Sequence, residues 1–407
     1  MTTIEIKSSQ ASARLRRHAL AAQGLLQVKP YGSGLSGARK AINHIGYVQI
    51  DTISVVERAH HHVFHSRVPD FKPSMTNQML IDGDIFEYWA HAAAFLPISD
   101  FRFSLPYKHA IKNGQTHWYK EPDKKLMSEL LARIRSDGPL RSRDVKTNTA
   151  KRAGWWDWKP AKKALEQLYM EGDLMVSSRE GFQKTYDLTE RVVPSQISTQ
   201  MPSMEEFASH ILDRQLQCHG LISLKGLTYH QRRNKALQKT VNDLVKERLA
   251  QRTLEQIKVA NGEVFLLKNG VLEERLPRLN NRLLILSPFD NSVIQRTRLK
   301  TLFQYDYQLE CYLPAAKRIY GYFCLPLLYR DRFIGRMDCK AHRKTGQLEI
   351  KSLHFDEHNF EEDSVIAEFV KAIKKFCHFQ QCTSVVLTKS HPKHLTGNLR
   401  RALKAIG

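Results

Sequence analysis

The 407-residue sequence contains no apolar run close to the roughly 20 residues needed to cross a bilayer. Its start, MTTIEIKSSQ, has no apolar signal core, so the cytoplasm is the expected compartment. Six cysteines are present, Cys218, Cys311, Cys324, Cys339, Cys377 and Cys382, and none forms a CxxC pair. That argues against a zinc ribbon and leaves buried, reduced thiols as the expectation. There is no Gly-x4-Gly-Lys-Ser/Thr loop for nucleotide phosphates and no Gly-x-Ser-x-Gly elbow for acyl transfer. Acidic residues are scarce: 41 Asp and Glu face 63 Lys and Arg, a formal charge of +22. A surplus of that size implies a polyanionic partner, nucleic acid first, with a generically basic surface as the plainer account. The hydrophobic fraction of 42% is that of a globular chain, and the length allows two or three domains.

What is present is best read as alternating helical and extended segments. Residues 10–25 and ARKAINHI (38–45) have helical composition, the second stopped by Gly46. YVQIDTISVV (47–56) and DIFEYWAHAAAFLPI (84–98) read as extended. LMSELLARIRSDG is an amphipathic helix, LRSRDV begins a short second one, and Pro160 opens a third. Ala161, Ala164, Leu165 and Leu168 share one face of that third helix, Lys159, Lys162 and Lys163 lie elsewhere on it, and Gly172 ends it. A hairpin with its tip at Glu180-Gly181 follows. Three helices and a hairpin make a winged helix-turn-helix, whose third helix would meet a duplex. The order recurs at 204–267, ending in a hairpin turned at Asn261-Gly262, and residues 225–252 hold eight Lys or Arg against two acids. From about 282, LLILSP, QLECYL, IYGYFCLPLLY, FIGRMDCKA and QLEIKSLHF read as an antiparallel meander or small barrel. A helix near 362–379 and a strand at 384–388 close it. The predicted class is α+β: tandem winged helix-turn-helix domains plus a C-terminal antiparallel β-rich domain. The expected boundaries are 1–122, 123–199, 200–281 and 282–407.

Three places carry candidate chemistry. In an extended Gly46–Thr52 segment, Gln49 and Asp51 point to one face, where an amide and a carboxylate can hold one water between them. By spacing alone, the polar edge of a strand accounts for the pair as well. RAHHHVFHSR packs four histidines and two arginines into ten residues. A basic groove in which Arg58, His60, His61, His65 and Arg67 meet phosphates fits the overall charge. Structural packing and a His61/His65 metal pair remain as alternatives, though the stretch has no acidic third ligand. His91, beside Trp89 in EYWAHAA, can serve the same site or sit satisfied in a core. Trp155, Trp156 and Trp158 in GWWDWKP can stack on bases or anchor the winged helix.

GYVQIDTISVV, RAHHHVFHSR, EYWAHAAAFLP and the long block at 283–343, from LLILSPFDNSVIQR to RFIGRMDCKAHR, together resemble one family. It is that of the bacterial winged-helix DNA glycosylases that unhook interstrand crosslinks, the AlkZ, AlkX and YcaQ-like proteins. The resemblance covers nearly the whole chain. It implies tandem winged helices around a basic concavity for duplex DNA, and hydrolysis of the N-glycosidic bond of N7-alkylated purines. It also implies a catalytic motif of glutamine, an aliphatic residue, then glutamine or aspartate. Here that motif falls on Gln49, Ile50 and Asp51, which matches the aspartate branch and its broader substrates rather than the two-glutamine branch. Asp51 would supply the electrostatic and base work, Gln49 would orient the water, and no lysine would form an imine. The expectation is therefore a monofunctional, monomeric DNA glycosylase without metal or cofactor. It would act on double-stranded DNA carrying N7-alkylpurine or crosslink lesions, in the cytoplasm at the bacterial nucleoid. A non-catalytic winged-helix transcription regulator is the alternative, and an RNA-binding protein a third reading without RRM or KH signatures to support it.

Overall fold

A computed structural model describes residues 3–145, 160–227, 234–356 and 361–406 of the chain. It is a mixed α+β structure that divides into two compact units, Met1–Lys72 with Ile211–Gly407, and Pro73–His210.

In the first unit the N-terminal strand Thr3–Ile6 pairs in parallel with Leu254–Val259. It completes a four-stranded sheet with Val264–Lys268 and Leu221–Ile222. The Asn261-Gly262 pair marks the hairpin, but the turn runs through three residues, 260–262, with Gly262 alone at positive φ, +86°, rather than a two-residue turn. The helix Ser9–Ala22 starts where Ser8 accepts a bond from the Ala11 amide, and the helix Lys235–Ala250 where Asn234 accepts one from Leu237. Leu15 and Leu20 of the first helix share a core with Leu221, Ile257 and Phe265. Leu286, Leu299, Leu328 and Phe333 belong to the same core. The run Gly32-Ser33-Gly34-Leu35-Ser36-Gly37 has dinucleotide-fingerprint spacing and opens the helix Gly34–Ile45. No strand feeds it, so it lacks the context that gives the spacing meaning. Gly37 instead lets the helix close on the Gly32 backbone, 2.9 Å from where a Cβ would sit.

The C-terminal sheet has the order Leu283–Ile285, Cys324–Tyr329, Arg332–His342, Gln347–Phe355, Ser384–Leu387, with Ser390–His391 also on Gln347–Phe355. Its first four strands are antiparallel. The last two run parallel to Gln347–Phe355, which corrects the all-antiparallel expectation. The helix Glu362–Phe379 carries the chain back across the sheet, so the next strand enters in the same direction. QLECYL is not a strand, and residues 304–314 form no regular element. Tyr305 and Tyr307 are buried there, with their hydroxyls on the Gly335 and Cys324 carbonyls.

In the second unit, the stretch 84–98 read as extended is not one strand but a hairpin of Ile85–Trp89 and Ala93–Pro97. The helix Lys124–Asp137 starts at Asp123, whose carboxylate accepts the Leu126 amide, and ends at Gly138. LRSRDV is a two-residue strand, Leu140–Arg141, followed by one short 3₁₀ turn of helix at Ser142–Asp144, not an α-helix from its first residue. Leu140 and Arg141 pair with Tyr186 and Thr185, a ladder that outcompetes one turn of helix. The helix Pro160–Glu171 ends at Gly172, φ +89°, and packs Leu165, Leu168 and Met170 against the hairpin Leu174–Glu180/Gln183–Leu188. Buried Glu87 receives ion pairs from Arg179 and Lys184, each 2.7 Å, which tie the two hairpins of this unit together.

Candidate active site

The segment that carries Gln49 and Asp51 begins where the helix Gly34–Ile45 stops at Gly46 in a left-handed conformation, φ +79°. Two residues, Val48 and Gln49, are strand; the chain from Ile50 to Ser54 is irregular. Its position is dictated from far along the sequence. The buried Asn291 amide donates to the Ile45 carbonyl (3.3 Å) and the Tyr47 carbonyl (3.0 Å) just before Gln49. Neighbouring Asp290 forms a bidentate pair with Arg67, at 2.6 and 2.9 Å, with both side chains fully buried. Past Asp51, Arg343 donates to the Ser54 and Val56 carbonyls, 3.0 Å each, and the Ala341 amide donates to Val55 at 2.8 Å. The Glu57 amide donates to Gln380 Oε1. A stretch without regular structure is thus clamped on both sides by the C-terminal half of the chain.

Gln49 is buried, 8% exposed, and Asp51 is half-buried. Asp51 Oδ1 accepts the Ile53 amide at 2.7 Å, an Asx-type turn that fixes the carboxyl. Burial raises the Asp51 pKa above the usual carboxylate value, against the opposing pull of the Ile53 amide and the Arg58 charge. Arg58 is placed for this by its bond to the Thr52 carbonyl, 3.4 Å. The Asp51 charge also acts on Cys311, whose thiol is pushed up first by burial and then by that charge. The arrangement is a half-buried carboxylate two residues along the chain from a buried glutamine, with the Arg58 guanidinium acting on it. It can stabilise a developing positive charge and polarise a water.

A family model described as DNA glycosylase AlkZ-like matches residues 42–379. The chain belongs to the AlkZ-like DNA glycosylase family. Its activity class is accordingly that of a DNA glycosylase, a hydrolase of DNA repair. Among solved structures, the chain is similar to the Streptomyces sahachiroi DNA glycosylase AlkZ, with a TM-score of 0.58 and 14% identity over 94% of this chain and 100% of that one. At that identity the likeness is one of fold.

The glycosylase distributes the other candidate residues unevenly. The histidine-rich segment is the helix Ala59–His65. Arg67, 1% exposed, is a core residue that also donates to the Gln23 carbonyl at 2.8 Å and the Gln23 side chain at 3.0 Å. Its expected place in a phosphate groove is therefore corrected: its donors are already spent on Asp290 and Gln23. His60 is buried against His61, with ring centroids 4.2 Å apart. His65 stacks flat on Phe379 at 3.9 Å, and burial lowers its pKa to about 3, so it meets that ring as a neutral imidazole. His61 Nδ1 lies 2.9 Å from Glu57. Among the described residues no group of three His, Cys, Asp or Glu could hold a metal ion. Of the segment, Arg58 is the residue the structure brings to Asp51. His91 sits half-buried at the hairpin turn of the Pro73–His210 unit, its pKa lowered to about 4 by burial. Trp89 there packs edge-on against Trp118 at 4.9 Å. Lys162 and Lys163 are exposed on the helix Pro160–Glu171. Lys159, Trp155, Trp156 and Trp158 lie outside the described residues. Sequence reading gave no role to Asn291, Arg343, Gln380 or Tyr312. None has a local pattern, and the site segment on which Asn291, Arg343 and Gln380 act lies more than 200 positions away.

Proposed function

We propose that this glycosylase hydrolyses the N-glycosidic bond of N7-alkylated purines in duplex DNA, including purines tied into interstrand crosslinks, with Asp51 and Gln49 as its catalytic residues. The observation that carries this reading is the Asp51 carboxyl, fixed by the Ile53 amide beside buried Gln49 on a clamped segment. Glycosidases that act on neutral sugars need one acid to protonate the leaving group and a second carboxylate. An N7-alkylated guanine is already cationic and departs without a proton. What remains is to stabilise an oxocarbenium-like sugar and deliver water, and one carboxylate with one amide suffices. In this reading Asp51 supplies the negative charge and accepts the proton from water, while Gln49 orients that water. The Gln-Ile-Asp spelling places the enzyme in the aspartate branch, with broader substrates than a single natural product.

Arg58, the cation whose charge reaches Asp51, is a guanidinium and forms no imine. The reading is therefore monofunctional, with no strand scission. The helix–strand–helix–hairpin orders at 124–188 and 204–268 are taken as winged helices, with a first unit ahead of them and a β-rich part from 282. Exposed Lys162 and Lys163 contribute to a duplex-binding surface, and the protein works as a monomer at the bacterial nucleoid. A crosslinked base is tied to the opposite strand and cannot swing freely into a pocket. Attack on an opened duplex at a shallow site suits such lesions. The test is a nitrogen-mustard crosslinked duplex on a denaturing gel. The enzyme is expected to separate the strands and leave an alkali-labile abasic site. Borohydride should trap no protein–DNA adduct; a trapped adduct would overturn the monofunctional reading, and intact crosslinks the substrate assignment.

A further inference from the structure

The helix Glu362–Phe379 ends in a turn that places two thiols at its ends and a clamp residue between them. Gln381 takes the left-handed conformation, φ +58°. The Cys382 amide donates to the Cys377 carbonyl and the Gln381 amide to the His378 carbonyl, at 2.9 Å each. This pair of bonds defines a Schellman cap, in which the side chains at the two ends meet. Those two residues are commonly apolar; here both are cysteines, and both are free thiols. The Cys377 thiol donates to the Cys382 carbonyl at 3.2 Å, and the Cys382 thiol to the Gln380 carbonyl at 3.7 Å. Cys377 and Cys382 are buried, but His378, Gln381 and Thr383 beside them are exposed, so the cap lies just under the surface.

The same cap holds the segment that follows Asp51. Gln380, buried between the two cysteines, accepts the Glu57 amide on Oε1, and among the described residues its Nε2 has no partner. One hydrogen bond therefore sets the orientation of that amide. Phe376 and Phe379, from the last turn of the helix, meet His62 and His65, with ring centroids 5.1 and 3.9 Å apart. Next to Glu57 stands Arg58, which donates to the Thr52 carbonyl at 3.4 Å, one residue past Asp51. A rearrangement of the cap is thus passed through Gln380 to Glu57 and Arg58.

We propose that Cys377 and Cys382 form a reversible disulfide that loosens the grip of Gln380 on Glu57 and slows the glycosylase under oxidising conditions. A backbone bond between the two residues keeps their Cα atoms within the separation a disulfide tolerates, about 4.4–6.8 Å. To join, both sulfurs must leave their carbonyl acceptors, one of which is the Gln380 carbonyl itself. The oxidant is a low-molecular-weight disulfide. The Cys382 thiolate attacks it, expels one small thiolate that takes up a proton, and is left as a mixed disulfide. The Cys377 thiolate then attacks the Cys382 sulfur and releases the second small thiol. Two protein S–H bonds become one S–S bond, and the oxidant's S–S bond becomes two S–H bonds. Burial, then Cys382, pushes the Cys377 thiol up to about 11, and burial raises Cys382 against the pull of the Arg343 charge. Thiolate is therefore scarce at neutral pH, and the switch answers sustained rather than brief oxidation. Its effect on base release rests on the function proposed above; formation of the bridge does not.

The experiment incubates the full-length native protein with glutathione disulfide, blocks remaining thiols and maps the peptides by mass. A Cys377–Cys382 link, seen as the loss of two hydrogens, is expected. In the oxidised protein, hydrogen exchange of the Glu57 amide should quicken severalfold, single-turnover base release should slow severalfold, and dithiothreitol should reverse both. Cys377→Ser and Cys382→Ser should release base like the native enzyme but lose the response to oxidant. Cys311→Ser should keep it, which separates the cap from the thiol that the Asp51 charge acts on. A mixed disulfide without the bridge, a bridge that leaves Glu57 exchange unchanged, or a response that persists in Cys377→Ser overturns the switch. The mass and exchange readouts use the native chain, so they do not depend on a variant folding. If the reduced native enzyme releases no base, the proposed function fails, and those two readouts still decide the switch.

Discussion

Removing Arg67 should unfold the neighbourhood of Asp51 before anything at Asp51 is touched. Arg67 and Asp290 are both fully buried and joined by two bonds of 2.6 and 2.9 Å. Burial alone would raise the Asp290 pKa, but the Arg67 charge and hydrogen bonds outweigh it and hold it below the usual carboxylate range. Arg67→Met leaves Asp290 ionised in the core without a cation. Breaking a buried pair in this way costs about 3–5 kcal/mol, far more than the pair is worth against two apolar residues. In a unit of this size that corresponds to a fall in melting temperature on the order of 10 °C. Asp290 precedes Asn291, whose amide fixes the Ile45 and Tyr47 carbonyls, so base release should fall with stability. The double variant Arg67→Met/Asp290→Ala should recover part of the loss, because no charge is then stranded. Calorimetry on the three variants gives the answer. A single-variant cost below about 1 kcal/mol, or a double variant no better than additive, would refute the reasoning.

Other consequences follow from individual side chains. Lys108 is buried in a cage of Phe101, Tyr88 and Phe86, with Nζ 4.2, 4.7 and 5.8 Å from the ring centroids, and burial lowers its pKa from 10.5 to about 7. Between about pH 7 and 10.5 the unfolded chain holds a proton that the folded one lacks, so stability should rise with pH across that window. Lys108→Met should remove that slope and stabilise the protein below pH 7, by about 5 kcal/mol at most; denaturant melts at pH 6 and 9 check both. Arg343→Ala deletes two bonds to the segment after Asp51 from an exposed position. It should cost only about 1–2 kcal/mol of stability but lower single-turnover base release about tenfold by loosening the clamp. Lys162→Glu with Lys163→Glu should flatten the salt dependence of duplex binding by about one unit of slope per lost phosphate contact. An unchanged slope removes the helix Pro160–Glu171 from the DNA surface.

What could be read from sequence depended on how local the cause was. The helix Pro160–Glu171 was legible because Pro160, the Ala161-Ala164-Leu165-Leu168 face and Gly172 all act within a few residues. The Asn261-Gly262 hairpin was legible for the same reason. LRSRDV misled because its outcome is set by pairing with Tyr186 and Thr185, some 45 positions on. QLECYL has strand composition, but Glu310 within it spends its carboxylate closing a loop. The parallel strand Ser384–Leu387 required knowing where the helix Glu362–Phe379 would land. In the histidine-rich segment the residue types were right for phosphate, yet Arg67 answers to Asp290, 223 positions away. Gln49 and Asp51 were picked out by their spacing, but a polar strand edge explained that equally well until the family motif was considered. Their burial and the clamp around them come from Asn291, Arg343 and Gln380, which no spacing rule connects to them.

The central claim is that Asp51 hydrolyses the bond to an N7-alkylated purine, and the most direct measurement is base release under single turnover. Duplex DNA carrying N7-methylguanine would be treated with the native enzyme and with Asp51→Asn, with alkaline cleavage reporting abasic sites and a titration reporting binding. The account predicts release by the native enzyme, a loss of most of that rate in Asp51→Asn at nearly unchanged binding, and an acid limb in the native rate lying above the ordinary aspartate value. Tight binding with no release by the native enzyme, or equal release by both proteins, would contradict it.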